Sequence, residues 1–243
     1  MATEIIFTAD VHLAPQQPQI VEQFLTFLTQ RATQAQKLYI LGDLFETWIG
    51  DDEDEPFYQT IIQALHTLVD ADVAVLVMPG NRDFLLSIQF AQLSGCQLIA
   101  DPSVVDIWGT PALLMHGDSL CLDDVAYQRF RQQVRHPAWQ QQFLAQPLSQ
   151  RRLLAQHARI QSQTHTQKTP EPALEVTPAA VITALETHKV FELIHGHTHR
   201  PRVEQLALNG QPAYRRVVGA WHTHGATVLS CTPQQWQLIE INN

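Results

Sequence analysis

Short apolar runs alternate along the chain with longer segments in which apolar residues recur at helical spacing. The runs predict strands at 4–8, 37–41, 73–78 and 190–194. Apolar residues three or four positions apart predict helices at 20–28, 57–69, 84–93 and 177–188. The run at 73–78 is almost wholly apolar, so we expect this strand to be buried on both faces. Alternation of this kind is typical of an α/β domain.

A helical segment without glycine interrupts this alternation. Residues 104–108 and 111–115 predict a hairpin, and residues 123–168 then show helical periodicity broken near Pro137 and Pro147. The α/β pattern resumes afterwards and ends in β-rich sequence. We therefore predict a core made of residues 1–122 and 171–243, with residues 123–170 inserted as a helical cap.

The composition is that of a folded domain and indicates the cellular compartment in which the protein is expected. The chain has 243 residues, of which 45% are hydrophobic, and this is enough for a substantial core. Its three cysteines form no CxxC pair, which favours a reduced, cytoplasmic protein. No apolar run approaches the roughly 20 residues that span a bilayer. The first residues lack the basic region of a signal peptide.

Charge is distributed unevenly. The net charge of −9 argues against a nucleic-acid partner. Residues 125–170, however, contain no acidic residue and seven basic ones: Arg129, Arg131, Arg135, Arg151, Arg152, Arg159 and Lys168. These positive charges suit phosphates or anionic lipid headgroups. The alternative is a solvated helix face, which we expect for at least half of them.

Five polar motifs follow predicted strands. They are Asp10-Val11-His12, Gly42-Asp43, Gly80-Asn81-Arg82-Asp83, His116-Gly117-Asp118 and Gly196-His197-Thr198-His199. Ligands gather at the carboxyl ends of strands in open α/β sheets, and Asp, His and Asn bind divalent metals. Each motif alone has a simpler explanation as a loop cap or a structural turn. Their ordered occurrence after successive strands makes coincidence a poor explanation.

This ordered set resembles the signature of the calcineurin-like metallophosphoesterase superfamily. The resemblance implies a four-layer α/β/β/α sandwich that holds two metal ions. It assigns one metal to Asp10, His12, Asp43 and His199, and the other to Asp43, Asn81, His116 and His197, with Asp43 bridging the two.

The chemistry of such a site follows from charge. Two divalent ions, two carboxylates and one hydroxide leave a charge of about +1, which suits a monoanionic phosphodiester or pyrophosphate segment. We expect in-line attack of metal-bound hydroxide on phosphorus, with Arg82 and the metals stabilising the developing charge. The expected catalytic residues are Asp43, Asn81, Arg82 and His116. No serine or cysteine nucleophile is required.

Longer motifs narrow the resemblance. Residues 42–52, 80–86, 115–121, 194–201 and 219–222 resemble the UDP-2,3-diacylglucosamine hydrolase family of lipid A assembly. The resemblance implies pyrophosphate cleavage by water attack at the α-phosphorus, with Mn²⁺ as the usual metal. UMP and 2,3-diacylglucosamine 1-phosphate would be the products. It also implies a helical cap that binds the acyl chains. The sequence does not indicate the oligomeric state, and our default expectation is a monomer peripheral to the cytoplasmic face of the inner membrane.

Substrate contacts are carried over residue by residue from the same resemblance. They are Asn81, Arg82, Asp124, Tyr127, Arg159, Ser162, Thr166, Lys168 and His197. The sequence departs from the family near Lys168, because the position matched to a family lysine falls on Thr169, and Pro170 and Pro172 indicate an altered loop. Independently of the resemblance, Phe130, Val134, Trp139, Phe143, Leu144 and Ile160 offer apolar lining for the cap.

Two alternatives stay open at this point. A general phosphodiesterase of the same superfamily would share the site but would not need the basic, apolar insertion. A binding scaffold would keep the fold without catalysis, although such scaffolds typically lose metal ligands. The acidic residues 51–55 are expected to form a solvated loop, His195 to be a satisfied core histidine, and Asp83 and Asp118 to brace loops or ligating histidines.

Overall fold

Two β-sheets pack face to face with helices on both outer sides in the computed structural model, which describes residues 3–242. The strands are β1 (Ile5–Thr8), β2 (Lys37–Leu41), β3 (Ala74–Met78), β4 (Gln97–Leu98), β5 (Ser103–Ile107), β6 (Thr110–Met115), β7 (Glu192–His195), β8 (Arg202–Leu208), β9 (Gln211–Val217), β10 (Trp221–His222), β11 (Gly225–Cys231) and β12 (Trp236–Ile241). The helices are α1 (Pro18–Gln30), α2 (Pro56–Asp70), α3 (Ile88–Ser94), α4 (Val125–Val134), α5 (Pro137–Leu144), α6 (Leu148–Lys168) and α7 (Pro178–His188).

Three apolar clusters define four layers. One lies between the first sheet and α1 to α3 and includes Phe24 and Ile61. A second lies between the sheets, where the rings of Phe7 and Tyr39 stack with centroids 4.8 Å apart. The third packs α7 through Leu185 against the second sheet. The predicted α/β/β/α sandwich is therefore confirmed.

Strand direction brings the polar motifs to one region. The first sheet has the order β10-β11-β1-β2-β3-β4, with β12 on β11, and β1, β2 and β3 are parallel. The second has the order β5-β6-β7-β9-β8, with β6 parallel to β7. Each of the five motifs follows one of these parallel strands. Their carboxyl ends therefore carry all seven predicted metal ligands.

Two elements differ from the sequence prediction. The helix expected at 84–93 begins only at Ile88, because Asp51 accepts hydrogen bonds from the backbone N–H groups of Ser87 and Phe90 at 3.1 and 2.9 Å and fixes the preceding turn. The expectation that 73–78 is buried on both faces is wrong for Ala74 and Leu76, which are half-buried.

The segment predicted as a cap contains three helices, α4 to α6. Pro137 is the first residue of α5, where its missing N–H costs no helical hydrogen bond, and Pro147 directly precedes α6. The boundaries of the cap stay a prediction. Within residues 3–242, none of the helices combines the length and apolarity needed to cross a bilayer.

Most basic residues of this segment contact core groups, so the expectation of a largely solvated face is wrong. The pairs are Arg131 with Asp118, Arg135 with the Gly80 carbonyl, Arg151 with Asp52, Arg152 with Glu53 and Asp54, and Arg159 with Glu46. The acidic loop expected to be solvated therefore supplies partners for α6. These attachments hold the helices over the strand ends.

Candidate active site

The predicted metal ligands form two overlapping groups. Ligand atoms of Asp10, His12 and His199 lie within 4.8 Å of one another, and so do those of Asp10, Asp43 and His116. Asp10, Asp43 and His116 are buried. The structure therefore brings these five predicted ligands together from four separate loops.

The first group has the geometry of an ion site. Nε2 of His12 lies 3.2 Å from Nε2 of His199 and 3.7 Å from Oδ2 of Asp43. Oδ1 of Asp10 is 3.5 Å from His199 Nε2, is buried, and has no hydrogen-bond partner among residues 3–242. Burial of an unpaired carboxylate oxygen is unfavourable, and a cation between these atoms removes the penalty. The residues present thus fit a divalent ion with nitrogen and oxygen ligands.

His116 organises the second group. Its Nδ1 donates to the Leu41 carbonyl at 2.8 Å, so its Nε2 is the atom that faces the cluster. Nε2 lies 2.8 Å from Asn81 Oδ1 and 3.7 Å from Asp43 Oδ1. Two acceptor lone pairs at this distance require a proton or a metal ion on that side. The ring of His197 is close, with its centroid 5.1 Å from that of His116.

Electrostatics of the cluster favour a cation. Burial alone lowers the pKa of His116, but the carboxylates of Asp43, Asp118 and Asp10 outweigh it and raise this pKa to about 9. Burial and the neighbouring His116 lower the pKa of His197 to about 4, which keeps its imidazole neutral. A neutral imidazole is the form that binds metals.

Five of the seven predicted ligands have a left-handed backbone. Asp10, His12, Asp43, His197 and His199 have φ between 53° and 67°. This conformation is uncommon outside glycine, and Asp and His are among the residues that tolerate it best. Gly80 is required for a different reason, because a Cβ there would lie 2.2 Å from Asp43 Oδ1. The loops are thus shaped around the side chains that face the cluster.

Two buried aspartates brace these loops, as the sequence predicts. Asp83 accepts hydrogen bonds from the N–H groups of Gly80 at 2.7 Å and Phe45 at 3.2 Å. Asp118 accepts from the Tyr127 hydroxyl at 2.6 Å and from Arg131 Nε at 2.8 Å. The second brace ties α4 to the loop that carries His116.

A pocket of about 600 Å³ lies beside the cluster, between the core and the three inserted helices. Five predicted substrate contacts line it: Asn81, Arg82, Tyr127, Arg159 and Ser162. Its apolar walls include Phe130, Trp139 and Phe143, as expected, and the last two rings stack with centroids 5.0 Å apart. Leu144 and Ile160 are exposed and Val134 is buried, and all three lie outside the lining.

Four other predicted contacts lie at the border of the pocket or beyond it. His197 stacks on Tyr127 with ring centroids 6.1 Å apart, at the junction with the cluster. Asp124 caps α4 and lies 2.8 Å from His165 Nε2. Thr166 and Lys168 are exposed on the last turn of α6, outside the lining. Their roles stay predictions.

The sequence analysis assigned no role to three residues that the structure places at the site. Glu46 lines the pocket and contacts both His12 and Arg159. His165 lines it one helical turn after Ser162, and this spacing was visible in the sequence. Gly219 packs against Asp10, where an added Cβ would lie 2.8 Å from Oδ2. His195 is satisfied in the core as expected, since Arg215 Nε donates to it at 2.9 Å.

A protein-family model identifies the class of protein to which this chain belongs. The calcineurin-like phosphoesterase family model matches residues 3–201. The chain therefore belongs to the calcineurin-like phosphoesterases and is a metal-dependent hydrolase.

Proteins with similar sequences indicate a more specific group within this family. Proteins named UDP-2,3-diacylglucosamine hydrolase are 49% identical in Cellvibrio japonicus, 48% in Nitrosococcus oceani and 47% in Klebsiella pneumoniae. These alignments cover 90%, 96% and 98% of this chain and 92%, 92% and 98% of the relatives.

Proposed function

We propose that the protein hydrolyses UDP-2,3-diacylglucosamine to UMP and 2,3-diacylglucosamine 1-phosphate by attack of water at the α-phosphorus. The observation that carries this proposal is the direct connection between the cluster and the apolar pocket. Asn81 contacts His116 in the cluster and also lines the pocket. A substrate with a phosphoanhydride at one end and acyl chains at the other fits this arrangement.

Two divalent ions are assigned to the cluster, and Mn²⁺ is the proposed metal. Asp10, His12, Asp43 and His199 would hold one ion, while Asp43, Asn81, His116 and His197 would hold the other. Such ions polarise phosphoryl oxygens and lower the pKa of bound water. The histidines would bind the ions as neutral imidazoles and Asn81 is uncharged, so Asp10 and Asp43 would be the two anionic ligands and the loaded site would keep a positive charge for an anionic substrate.

The residues beside the cluster would orient the phosphates. The Arg82 N–H donates to Asp43 Oδ1 at 2.8 Å, which fixes this backbone next to the cluster. The Arg82 Nε is buried and lacks a hydrogen-bond partner in the described part of the chain, so it is available to a phosphate oxygen. Arg159 and Tyr127 face the same pocket. We assign charge stabilisation to Arg82 and substrate orientation to Arg159, Tyr127 and Ser162.

The helices of residues 123–170 would act as the acyl-binding cap. Their aromatic walls exclude water from the lipid end of the substrate, and burial of each CH₂ group contributes about 0.8 kcal/mol. Outside the pocket, Leu153 and Ile160 are more than half exposed. Together with the exposed Arg129 and Lys168 they support peripheral contact of a monomer with the cytoplasmic face of the inner membrane.

A substrate comparison tests this proposal. UMP release from UDP-2,3-diacylglucosamine is followed after chelation and again after addition of Mn²⁺. Activity should disappear on chelation and return with Mn²⁺. UDP-N-acetylglucosamine and bis(p-nitrophenyl) phosphate, which lack acyl chains, should be turned over far more slowly. Comparable turnover of these soluble esters would instead indicate a general phosphodiesterase.

A substitution in the pocket wall provides the matched test. Phe143→Ser removes an apolar group that stacks on Trp139 in the pocket wall and is not itself one of the predicted metal ligands. It should raise KM for the diacyl substrate at least tenfold, which corresponds to about 1.4 kcal/mol. Its activity on bis(p-nitrophenyl) phosphate should stay unchanged. An equal effect on both substrates would contradict acyl binding in this pocket.

A further inference from the structure

Glu46 connects the metal cluster to the inserted helix α6. It lies three residues after Asp43, and its side chain is 18% exposed at the wall of the pocket. Oε2 lies 2.8 Å from Nδ1 of His12, although the approach is not aligned as a regular hydrogen bond. Oε1 pairs with Nε of Arg159. One carboxylate thus uses its two oxygens on two different parts of the molecule.

The contact with His12 has a defined consequence for metal binding. Nε2 of His12 faces His199 and Asp43, so Nδ1 is the nitrogen left for an outer partner. A carboxylate oxygen 2.8 Å from Nδ1 favours the tautomer that carries its proton on Nδ1, which leaves the Nε2 lone pair free and raises the basicity of that nitrogen.

The contact with Arg159 acts on the pocket side. Arg159 is a long side chain on α6 and remains 31% exposed, so its guanidinium would otherwise sample many rotamers. Burial lowers the pKa of Arg159, and the positive charge of the nearby Arg82 lowers it further. Pairing with Glu46 offsets this repulsion and holds Arg159 at the pocket. A held guanidinium loses less entropy when it binds a phosphate.

We propose that Glu46 is a positioning residue that orients His12 toward the metal and Arg159 toward the substrate. The role toward Arg159 rests on the proposed function. The role toward His12 does not, because orientation of His12 requires no substrate. Metal occupancy and substrate binding are thereby linked through one side chain. Neither composition nor motif spacing indicates this link.

Titration calorimetry with Mn²⁺ alone tests the first half on metal-stripped protein. Glu46→Met keeps side-chain volume but removes the acceptor, and it should weaken Mn²⁺ binding about 10–100-fold. Glu46→Gln keeps an oxygen acceptor and should stay within about threefold of the wild-type affinity. Glu186→Gln, at an exposed position on α7, is the matched control and should change nothing. Wild-type affinity in Glu46→Met would overturn the proposal.

Steady-state kinetics with the diacyl substrate test the second half. Glu46→Gln loses the charge that holds Arg159, so KM should rise about threefold to tenfold while kcat changes little. Arg159→Met should raise KM in the wild-type background and much less in the Glu46→Gln background. A KM at or below the wild-type value in Glu46→Gln, or fully additive effects, would overturn it.

The outcomes separate this inference from the proposed function. If the wild-type protein binds Mn²⁺ but releases no UMP from the diacyl substrate, the proposed function fails and calorimetry still decides the role toward His12. Melting temperatures establish folding for each variant. Should Glu46→Met not fold, Glu46→Ala is measured in the same way, with the same expected loss of Mn²⁺ affinity.

Discussion

Asp10 accepts a hydrogen bond from the backbone N–H of His197 at 2.7 Å, although 187 residues separate them in sequence. Asp10 follows β1 in the first sheet and His197 follows β7 in the second. This bond therefore joins the two sheets at the cluster. Correct packing of the two sheets is therefore needed to bring these two loops of the candidate site together.

Asp43 is the predicted bridging ligand, so its removal should affect both metals. Asp43→Ala should abolish UMP release and weaken Mn²⁺ binding by more than the 10–100-fold typical of residues that only support a ligand. Calorimetry and the UMP assay check this, with circular dichroism to establish folding. A variant that still bound Mn²⁺ normally and turned over substrate would exclude the bridging role.

Gly80→Ala should disrupt the cluster without removing any polar group. The added Cβ would lie 2.2 Å from Asp43 Oδ1, a contact that forces the carboxylate to move. We expect loss of Mn²⁺ affinity and of activity. Gly210→Ala is the control, because nothing lies within 4 Å of its Cβ and only its φ of +78° is strained. It should cost about 1 kcal/mol of stability and leave Mn²⁺ affinity unchanged.

Two neighbouring arginines on α6 should differ in their effect on stability. Arg151 is 2% exposed and donates to the Ile49 and Gln146 carbonyls as well as to Asp52. Arg151→Ala leaves two carbonyls without their donors, so the free energy of unfolding should fall by about 2–4 kcal/mol.

Arg152, by contrast, is exposed and pairs with the exposed carboxylate of Asp54 and with Glu53, whose buried carboxylate keeps hydrogen bonds from the backbone N–H groups of Asp54 and Glu55. Arg152→Ala should therefore change the free energy of unfolding by less than about 1 kcal/mol. Urea denaturation of both variants measures the difference. Equal decreases in the free energy of unfolding would show that burial of the arginine does not determine how much its contacts stabilise the protein.

Glu4 should give stability a defined dependence on pH. Burial alone raises the pKa of Glu4, but hydrogen bonds from Arg31 and Ser230 outweigh it and hold this pKa below its ordinary value of 4.5. The stability that Glu4 contributes is therefore fully present above about pH 4.5 and is lost as pH falls through the folded-state value.

Comparison of Glu4→Gln with the wild type tests this dependence. At neutral pH the variant should be less stable, and the gap in the free energy of unfolding should close below about pH 4.5. Glu22→Gln, at an exposed position on α1, should show no such pattern. A gap that stays constant down to pH 3 would contradict the assignment.

Much of the fold and most of the cluster could be predicted because they depend on local patterns. Apolar periodicity located β2 to the residue, and the motifs after strands named side chains that the folded chain brings together. Interactions across the chain could not be predicted in this way. Asp51 accepts a hydrogen bond from Ser87, 36 residues away, at the start of α3. The buried Arg151 pairs with Asp52, 99 residues away. No local pattern encodes such pairs.

The left-handed backbone of the ligand loops restricts how the metal preference of this protein can evolve. Replacement of His12 by cysteine would favour softer ions, but cysteine tolerates this conformation less well than histidine. Such a change would carry a backbone cost of about 1–2 kcal/mol in addition to any effect on ligation. Glu46, which lies behind His12, faces no such restriction, because it is absent from the residues with positive φ. A change of metal preference should therefore cost less stability when a residue that contacts a ligand is substituted, such as Glu46, than when the ligand itself is substituted.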